Sequence, residues 1–490
     1  MKSRFPICIA AVTVCSALAG PVGLAAQQQQ SPLTKLQHYK LTVLEPIFGV
    51  RSTAVGINNK GQVAGFSSAP GLASAALWSK GQVFEIATLQ GGPISSTFTG
   101  PNEKGEVSGM SNTPTPDPNG EDFCFFGTNL ICLGFLWRDG VLTAMPTLGG
   151  NNSLAYQVND REQVVGVAEN TVVDATCPAA YLEAKPVVWQ GSTLEELPTY
   201  AGDTDGFGYG INDEGQIVGA TGICNQLVPF SSLHAVLWPN GPNGGVVDLG
   251  NLGGATLNIA FYINNQGQIV GQSGVSYGIN FHAFLWQKGV MTDLGTLPGD
   301  LESWANNINN KGQAVGTSFP ATGSRAFIWQ NGVITDLNTL IPVGSPLYLL
   351  EAFGINDRGQ IAGFGQLSDG ALRAYVLEPC DEGDDGCGGN AAAAPPASPA
   401  EAHGPWRRGI APRTSTSDAE TPAGDPPSPF VIREEPLWPG ARTGTDLSCP
   451  RANCSGTTFS CHACGQVCGL GHAYVSCYQP QTGTWCKKCI

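Results

Sequence analysis

Ile57-Asn58-Asn59-Lys60-Gly61-Gln62-Val63 is the stretch on which the fold turns, because it keeps coming back. It recurs in degenerate form as Pro101-Asn102-Glu103-Lys104-Gly105-Glu106-Val107. It then returns at Val158-Asn159, Ile211-Asn212, Ile263-Asn264, Ile308-Asn309 and Ile355-Asn356. The asparagines are spaced 44, 57, 53, 52, 45 and 47 residues apart, so the chain holds seven copies with variable insertions. Asn bonds back to its own backbone and Gly takes positive φ, so the phrase reads as a tight turn between two strands.

Each copy is followed by a short apolar run ending in Trp: Trp78, Trp137, Trp189, Trp238, Trp286 and Trp329. In the seventh copy Ala374-Tyr375-Val376-Leu377 takes that place. A Gly-bearing turn comes next, then a further apolar run such as Val290-Met291-Thr292-Asp293-Leu294. That makes four short strands per unit, here lettered A to D, rich in Val, Ile, Leu, Phe and Trp. A four-stranded unit of about fifty residues is the signature of a propeller blade. The seventh unit lacks strand D, while Tyr39-Lys40-Leu41-Thr42-Val43-Leu44 stands unpaired ahead of the first strand A. The sequence therefore predicts an all-β, seven-bladed propeller over residues 32–379, closed by its N-terminal strand, which removes the free sheet edges. A stacked β-solenoid is the rival architecture.

Across residues 39–379 the chain resembles the HAF extracellular repeat family. His282-Ala283-Phe284-Leu285-Trp286 carries the motif in full, and His234-Ala235-Val236-Leu237-Trp238 and Arg325-Ala326-Phe327-Ile328-Trp329 are near versions. The resemblance implies export from a bacterial cell and a repeat scaffold; it does not by itself imply an enzymatic activity. Pro101 departs from the pattern, so the second blade is expected to be irregular.

Among 490 residues only 13% are charged, and the net charge is −15, which argues against a nucleic-acid partner. Lys2 and Arg4, the mostly apolar residues 5–24 and the small pair Ala25-Ala26 read as a secretory signal over residues 1–26, with an uncleaved anchor as the alternative. No later segment is long and apolar enough to span a bilayer, so none is expected once the signal is removed. A secreted or periplasmic location makes disulfides the first reading of the cysteines. Cys124 with Cys132, Cys177 with Cys224, and Cys380 with Cys387 are the candidate pairs.

Residues 380–445 are rich in Ala, Pro, Gly and Ser and read as a disordered linker. Residues 446–490 hold Cys449, Cys454, Cys461, Cys464, Cys468, Cys477, Cys486 and Cys489. So small a module needs staples. Disulfides are favoured, with zinc on Cys461, Cys464, Cys486 and Cys489 as the alternative.

The repeated asparagines read as turn chemistry rather than a ring of ligands, and the tryptophans as packing plugs between blades. His234 and His282 read as hairpin-entry residues. The A–B turns are short and regular, whereas the B–C loops, 111–134, 168–185, 220–233 and 318–324, vary greatly. Function commonly sits on variable loops held by a rigid frame. The ligand site is therefore expected at the channel mouth on the B–C and D–A face. Aromatic contacts there would come from Tyr156, Phe207, Tyr209, Phe261 and Trp304. Two oxygen-rich turns, Asp203-Thr204-Asp205-Gly206 and Asp117-Pro118-Asn119-Gly120-Glu121-Asp122, offer an alternative Ca²⁺ site, with ordinary polar turns favoured.

No nucleophile–base set stands out. The reading is an exported, non-enzymatic binding or scaffold protein with a glycan or protein ligand and no cofactor. The alternative is an exported polysaccharide-acting enzyme with Asp203, Asp205 or Glu351 at the channel mouth, which requires two carboxyl groups at a defined separation.

Overall fold

The computed structural model describes residues 37–381, apart from 50, 70–71, 178–179, 225–233, 255–256 and 276–279, together with the backbone of three strands beyond residue 459. The signal, the linker and Cys387 lie outside the described residues.

Seven four-stranded antiparallel sheets form a ring, the arrangement of a β-propeller. The first blade shows the plan: strand A is Arg51–Ile57, B is Val63–Ala69, C is Leu72–Ser79 and D is Gln82–Ile86. Strands A, B and C are almost wholly buried, while strand D exposes four of its five residues. D is thus the rim and A the hub. The glycine that ends the repeated phrase sits on strand B against the back of strand A. At Gly65 an added Cβ would lie 2.0 Å from the Thr53 carbonyl oxygen, so no other residue fits without moving backbone. Opposite this glycine strand A bulges, as the register shift between Ala54 and Gly56 shows. Equivalent shifts fall in blades three to seven. A bulge turns its extra side chain out of the pleat.

Ring closure is as the sequence predicts. Tyr39–Leu44 pairs antiparallel with Leu372–Pro379, with Leu41 opposite Leu377, and completes the last blade. Tyr39 is fully buried, its backbone N–H donates to the Leu340 carbonyl, and burial pushes its phenol up to about 12. The second blade is irregular in one respect: its strand A is reduced to Ser95–Thr97.

The tryptophans plug the seams between blades. Trp78, Trp189 and Trp238 are buried and donate their indole N–H to the carbonyls of Glu45, Pro146 and Pro198, each in the segment leaving the preceding blade. Two predicted disulfides are present, Cys124–Cys132 within blade two and Cys177–Cys224 between the loops of blades three and four. Cys380 is also disulfide-bonded. The long loops are in part extended hairpin rather than loop: strand B of blade three runs to Val173, with Ala168 opposite Lys185. Beyond the linker, Ser460–Cys468, His472–Gln479 and Thr484–Cys489 form a three-stranded antiparallel sheet. No helix among the described residues is long and apolar enough to cross a membrane.

Candidate functional site

At the hub, the repeated Asn follows strand A in every blade, and each of these side chains does two jobs. Asn58 shows the pattern. Its Oδ1 accepts the backbone N–H groups of Lys60 at 3.1 Å and Gln62 at 3.0 Å, which makes the turn. Its Nδ2 donates to Gln62 Oε1 at 2.9 Å and to the carbonyl of Asn102, in the next blade, at 2.8 Å. All four hydrogen-bonding positions of the amide are therefore used. The same reach from blade to blade runs from Asn102 to Asn159, Asn212, Asn264, Asn309 and Asn356. It closes from Asn356 back to the Asn58 carbonyl at 2.9 Å. The turn reading of these residues holds, and the same geometry welds the blades. Gln62 and its counterparts are required as partners of the Asn amide. In blade two that partner is Glu106, whose charge is met by Arg138.

A second circuit lies one residue further on. Asn59, Glu103, Asp160, Asp213, Asn265, Asn310 and Asp357 each carry a side-chain oxygen that accepts the backbone N–H of its counterpart one blade earlier. Asn59 N donates to Glu103 Oε1 at 2.7 Å, Glu103 N to Asp160 Oδ1 at 2.7 Å, and Asp160 N to Asp213 Oδ1 at 3.0 Å. The run continues through Asn265, Asn310 and Asp357 and closes where Asp357 N donates to Asn59 Oδ1 at 2.8 Å. Amide and carboxylate serve equally as acceptors of this backbone bond, so the circuit itself does not demand the charge on four of the seven.

These two circuits ring a cavity of about 180 Å³ at the A–B-turn end of the central channel. Further in, Gln157, Tyr262 and Asn307 line it. Burial pushes the Tyr262 hydroxyl up to about 12; hydrogen bonding from Gln157 and Asn307 opposes the shift, and the charges of Asp213 and Asp357 add to it. The Asp160 carboxyl is raised, first by burial and also by the nearby Asp213 charge, against a lowering hydrogen bond from Glu103 N and the charge of Lys104. The lining is rich in acceptors. Asp213 Oδ2 takes Asn265 Nδ2 at 2.6 Å, and Asp357 Oδ2 takes Asn310 Nδ2 at 2.9 Å. Among the described residues Glu103 Oε2 and Asp160 Oδ2 accept no hydrogen bond. Asn307, 9% exposed, has an Oδ1 with no partner. The basic side chains of the turns, Lys60, Lys104, Arg161, Lys311 and Arg358, follow the second circuit in sequence and do not line the cavity. Lys104 is paired with Glu162 at 2.6 Å.

The expected aromatic site is a different thing. Tyr156, Tyr209, Phe261 and Trp304 are at most 4% exposed and belong to one packed cluster, with Phe207 half-buried against it. Rings of successive blades meet: Phe98 and Tyr156 have centroids 4.2 Å apart, Tyr156 and Tyr209 4.7 Å, and Tyr209 and Phe261 5.9 Å. Tyr156, Tyr209 and Phe261 are the extra residues of their strand A bulges, which is why they turn inward. They fill the interior rather than face solvent, so in this arrangement Phe207 alone of the five is partly open to a ligand.

The carboxylates considered for catalysis do not converge on the cavity. Asp203 is bonded to His234 Nδ1 at 2.9 Å and to Thr221 Oγ1 at 2.6 Å, Asp205 Oδ1 accepts Ala184 N, and Glu351 is buried in the last blade. His282 likewise pairs locally, with Asp293 at 2.9 Å. In the other oxygen-rich turn, Asp117 Oδ1 accepts Asn119 N and Glu121 N, and Asp122 accepts Phe126 N and Gly127 N. Both turns thus spend oxygens on their own structure. Among the described residues, the acids and cysteines close enough to share one ion are Asp174, Cys177, Asp205 and Cys224, within 4.8 Å of one another, and there the two sulfurs are joined to each other.

The sequence reading missed the second circuit. Its signal was present, since the residue after each Asn is always Asn, Asp or Glu, but a polar turn explains that composition equally well.

Comparison with known proteins assigns no family. No family model matches the sequence, and no curated protein matches it. Solved structures similar in shape include TolB from Acinetobacter baumannii, at 11% identity and TM-score 0.34, over 65% of this chain and 80% of that one. A putative TolB from Agrobacterium tumefaciens has 11% identity and TM-score 0.29, over 61% and 95%. The polysaccharide lyase Uly1 has 9% identity and TM-score 0.38, over 65% and 88%. Likeness at this level assigns no function.

Proposed function

We propose that this chain is an exported binding or scaffold protein of the HAF repeat type, and that its ligand, a protein or glycan, is held at the A–B-turn mouth of the channel. The observation that supports this reading is a cavity whose rim is fixed by two closed hydrogen-bond circuits yet retains acceptor oxygens that the fold does not use. Binding sites are concave, largely pre-formed and carry a few fixed polar groups. The circuits supply that rigidity, because each second-circuit residue has one side-chain oxygen held by the backbone of the neighbouring blade. The two disulfides fit an oxidising compartment.

The test is binding of the purified protein to glycan and peptide arrays, with two variants in parallel. Asp160→Asn combined with Asp213→Asn removes two mouth charges while keeping the oxygen that accepts each backbone N–H, and Phe207→Ala alters the opposite face. Signals lost in the first variant and kept in the second support the mouth as the site. Signals lost only with Phe207→Ala return the site to the variable-loop face.

A further inference from the structure

We infer that the group received at this mouth is an organic cation, the guanidinium or ammonium group of a basic side chain on a protein ligand. The inference rests on the binding reading above and narrows it. Four of the seven second-circuit residues, Glu103, Asp160, Asp213 and Asp357, are carboxylates at positions where Asn59, Asn265 and Asn310 show that a neutral amide keeps the same backbone bond. The backbone circuit therefore does not need the charges; Asp213 and Asp357 lend their second oxygens to Asn265 and Asn310, while those of Glu103 and Asp160 stay open to a ligand. A second observation comes from deeper in. Asn307 lines the same cavity and is nine-tenths buried, and its Oδ1 has no donor. A buried acceptor left without a donor costs free energy, and an N–H donor entering the mouth supplies one.

The kind of cation follows from spacing. Among the described residues, no three of the mouth acids come close enough together to share one metal ion. Oxygens distributed around a ring suit a donor that fans out. Guanidinium offers five N–H donors in a plane and ammonium three. The cavity volume of about 180 Å³ equals roughly six waters at about 30 Å³ each, room for such a head group and its hydration. Lys60, Lys104, Arg161, Lys311 and Arg358 do not line the cavity. Lys104 is already paired with Glu162, and the others would be complemented by acidic residues beside the inserted basic one on a partner.

The test uses the full chain and four probes: the blocked peptide acetyl-Gly-Arg-Gly-amide, its neutral counterpart with citrulline for arginine, Ca²⁺ alone, and the glycan array. Affinity is measured by titration calorimetry for wild type and for Asp160→Asn/Asp213→Asn, with thermal unfolding to verify that the variant is folded. The expected result is binding of the arginine peptide, at least tenfold weaker binding of the citrulline peptide, and at least tenfold loss in the variant. Ca²⁺ binding that the variant abolishes, with no peptide binding, overturns the organic cation in favour of a metal. A glycan signal that the variant abolishes, with no peptide binding, overturns the inference and leaves the binding reading standing. If no probe binds, or binding is indifferent to the variant, both fall.

Discussion

The two ends of the channel are built on opposite plans. At the A–B-turn end every blade contributes the same two residues in the same geometry, and the result is an open, polar mouth. Toward the other end the blades contribute different residues, among them Phe98, Tyr156, Tyr209, Phe261 and Trp304, which pack into a sealed apolar cluster stapled by Cys124–Cys132. Variable loops would ordinarily mark the working face. Here variation in the hub-facing residues reflects packing: unequal side chains of blades two to six fill one space. Regularity, by contrast, leaves a hole, since seven equal turns hold one another at a fixed distance and none reaches the axis.

Several changes would break or sharpen this contrast. The largest effect is expected from deleting residues 39–44, which strips a strand from the last blade and exposes Tyr375 and Leu377. The account predicts loss of cooperative unfolding by circular dichroism, and a deletion that unfolds like the intact chain would show the circuits alone suffice for closure. Next is Trp304→Ala in the packed cluster. Truncating a buried Trp costs about 3–5 kcal/mol, read by chemical denaturation, while affinity for a mouth ligand should stay unchanged. Asn309→Ala comes third. It leaves the Lys311 and Gln313 N–H groups and the Asn356 carbonyl without their partner. Groups so exposed to loss cost about 1–3 kcal/mol each when buried, though water at the turn reduces the total, and the expected destabilisation is about 3 kcal/mol.

The smallest effect is a pH dependence at the mouth. Burial raises the folded-state pKa of Asp160 above its unfolded value. The folded state then holds its proton more tightly, so Asp160 contributes a loss of stability as pH rises through the carboxylate range. Asp160→Asn should remove that contribution while keeping the acceptor for Glu103 N. Melting temperatures of the two proteins should converge at low pH and separate, with the variant higher, toward neutrality. The opposite separation would mean that the carboxylate is stabilised by charge, not strained by burial.

Much of this architecture was legible in the sequence. The spacing of the seven Asn-led turns, the Trp of six strands C and the stray strand at Tyr39–Leu44 specify seven blades and their closure, because the first two are local signals that recur and the third is the piece the last blade lacks. The disulfides Cys124–Cys132 and Cys177–Cys224 were legible from loop position. The site was not. Tyr156, Tyr209 and Phe261 look like ligand contacts in sequence, since nothing there reveals that a bulge turns each one toward its neighbours around the axis. Asp160 and Asp213 look like ordinary turn residues, since the bond from one to the other spans 53 positions and exists only once neighbouring blades pack side by side.

The most direct test of the mouth as the ligand site is hydrogen exchange of the full chain with and without the arginine peptide. The account predicts slowed exchange within residues 99–103, 157–160 and 211–213, and no change within 203–207. Protection confined to 203–207, with the A–B turns unaffected, would contradict it.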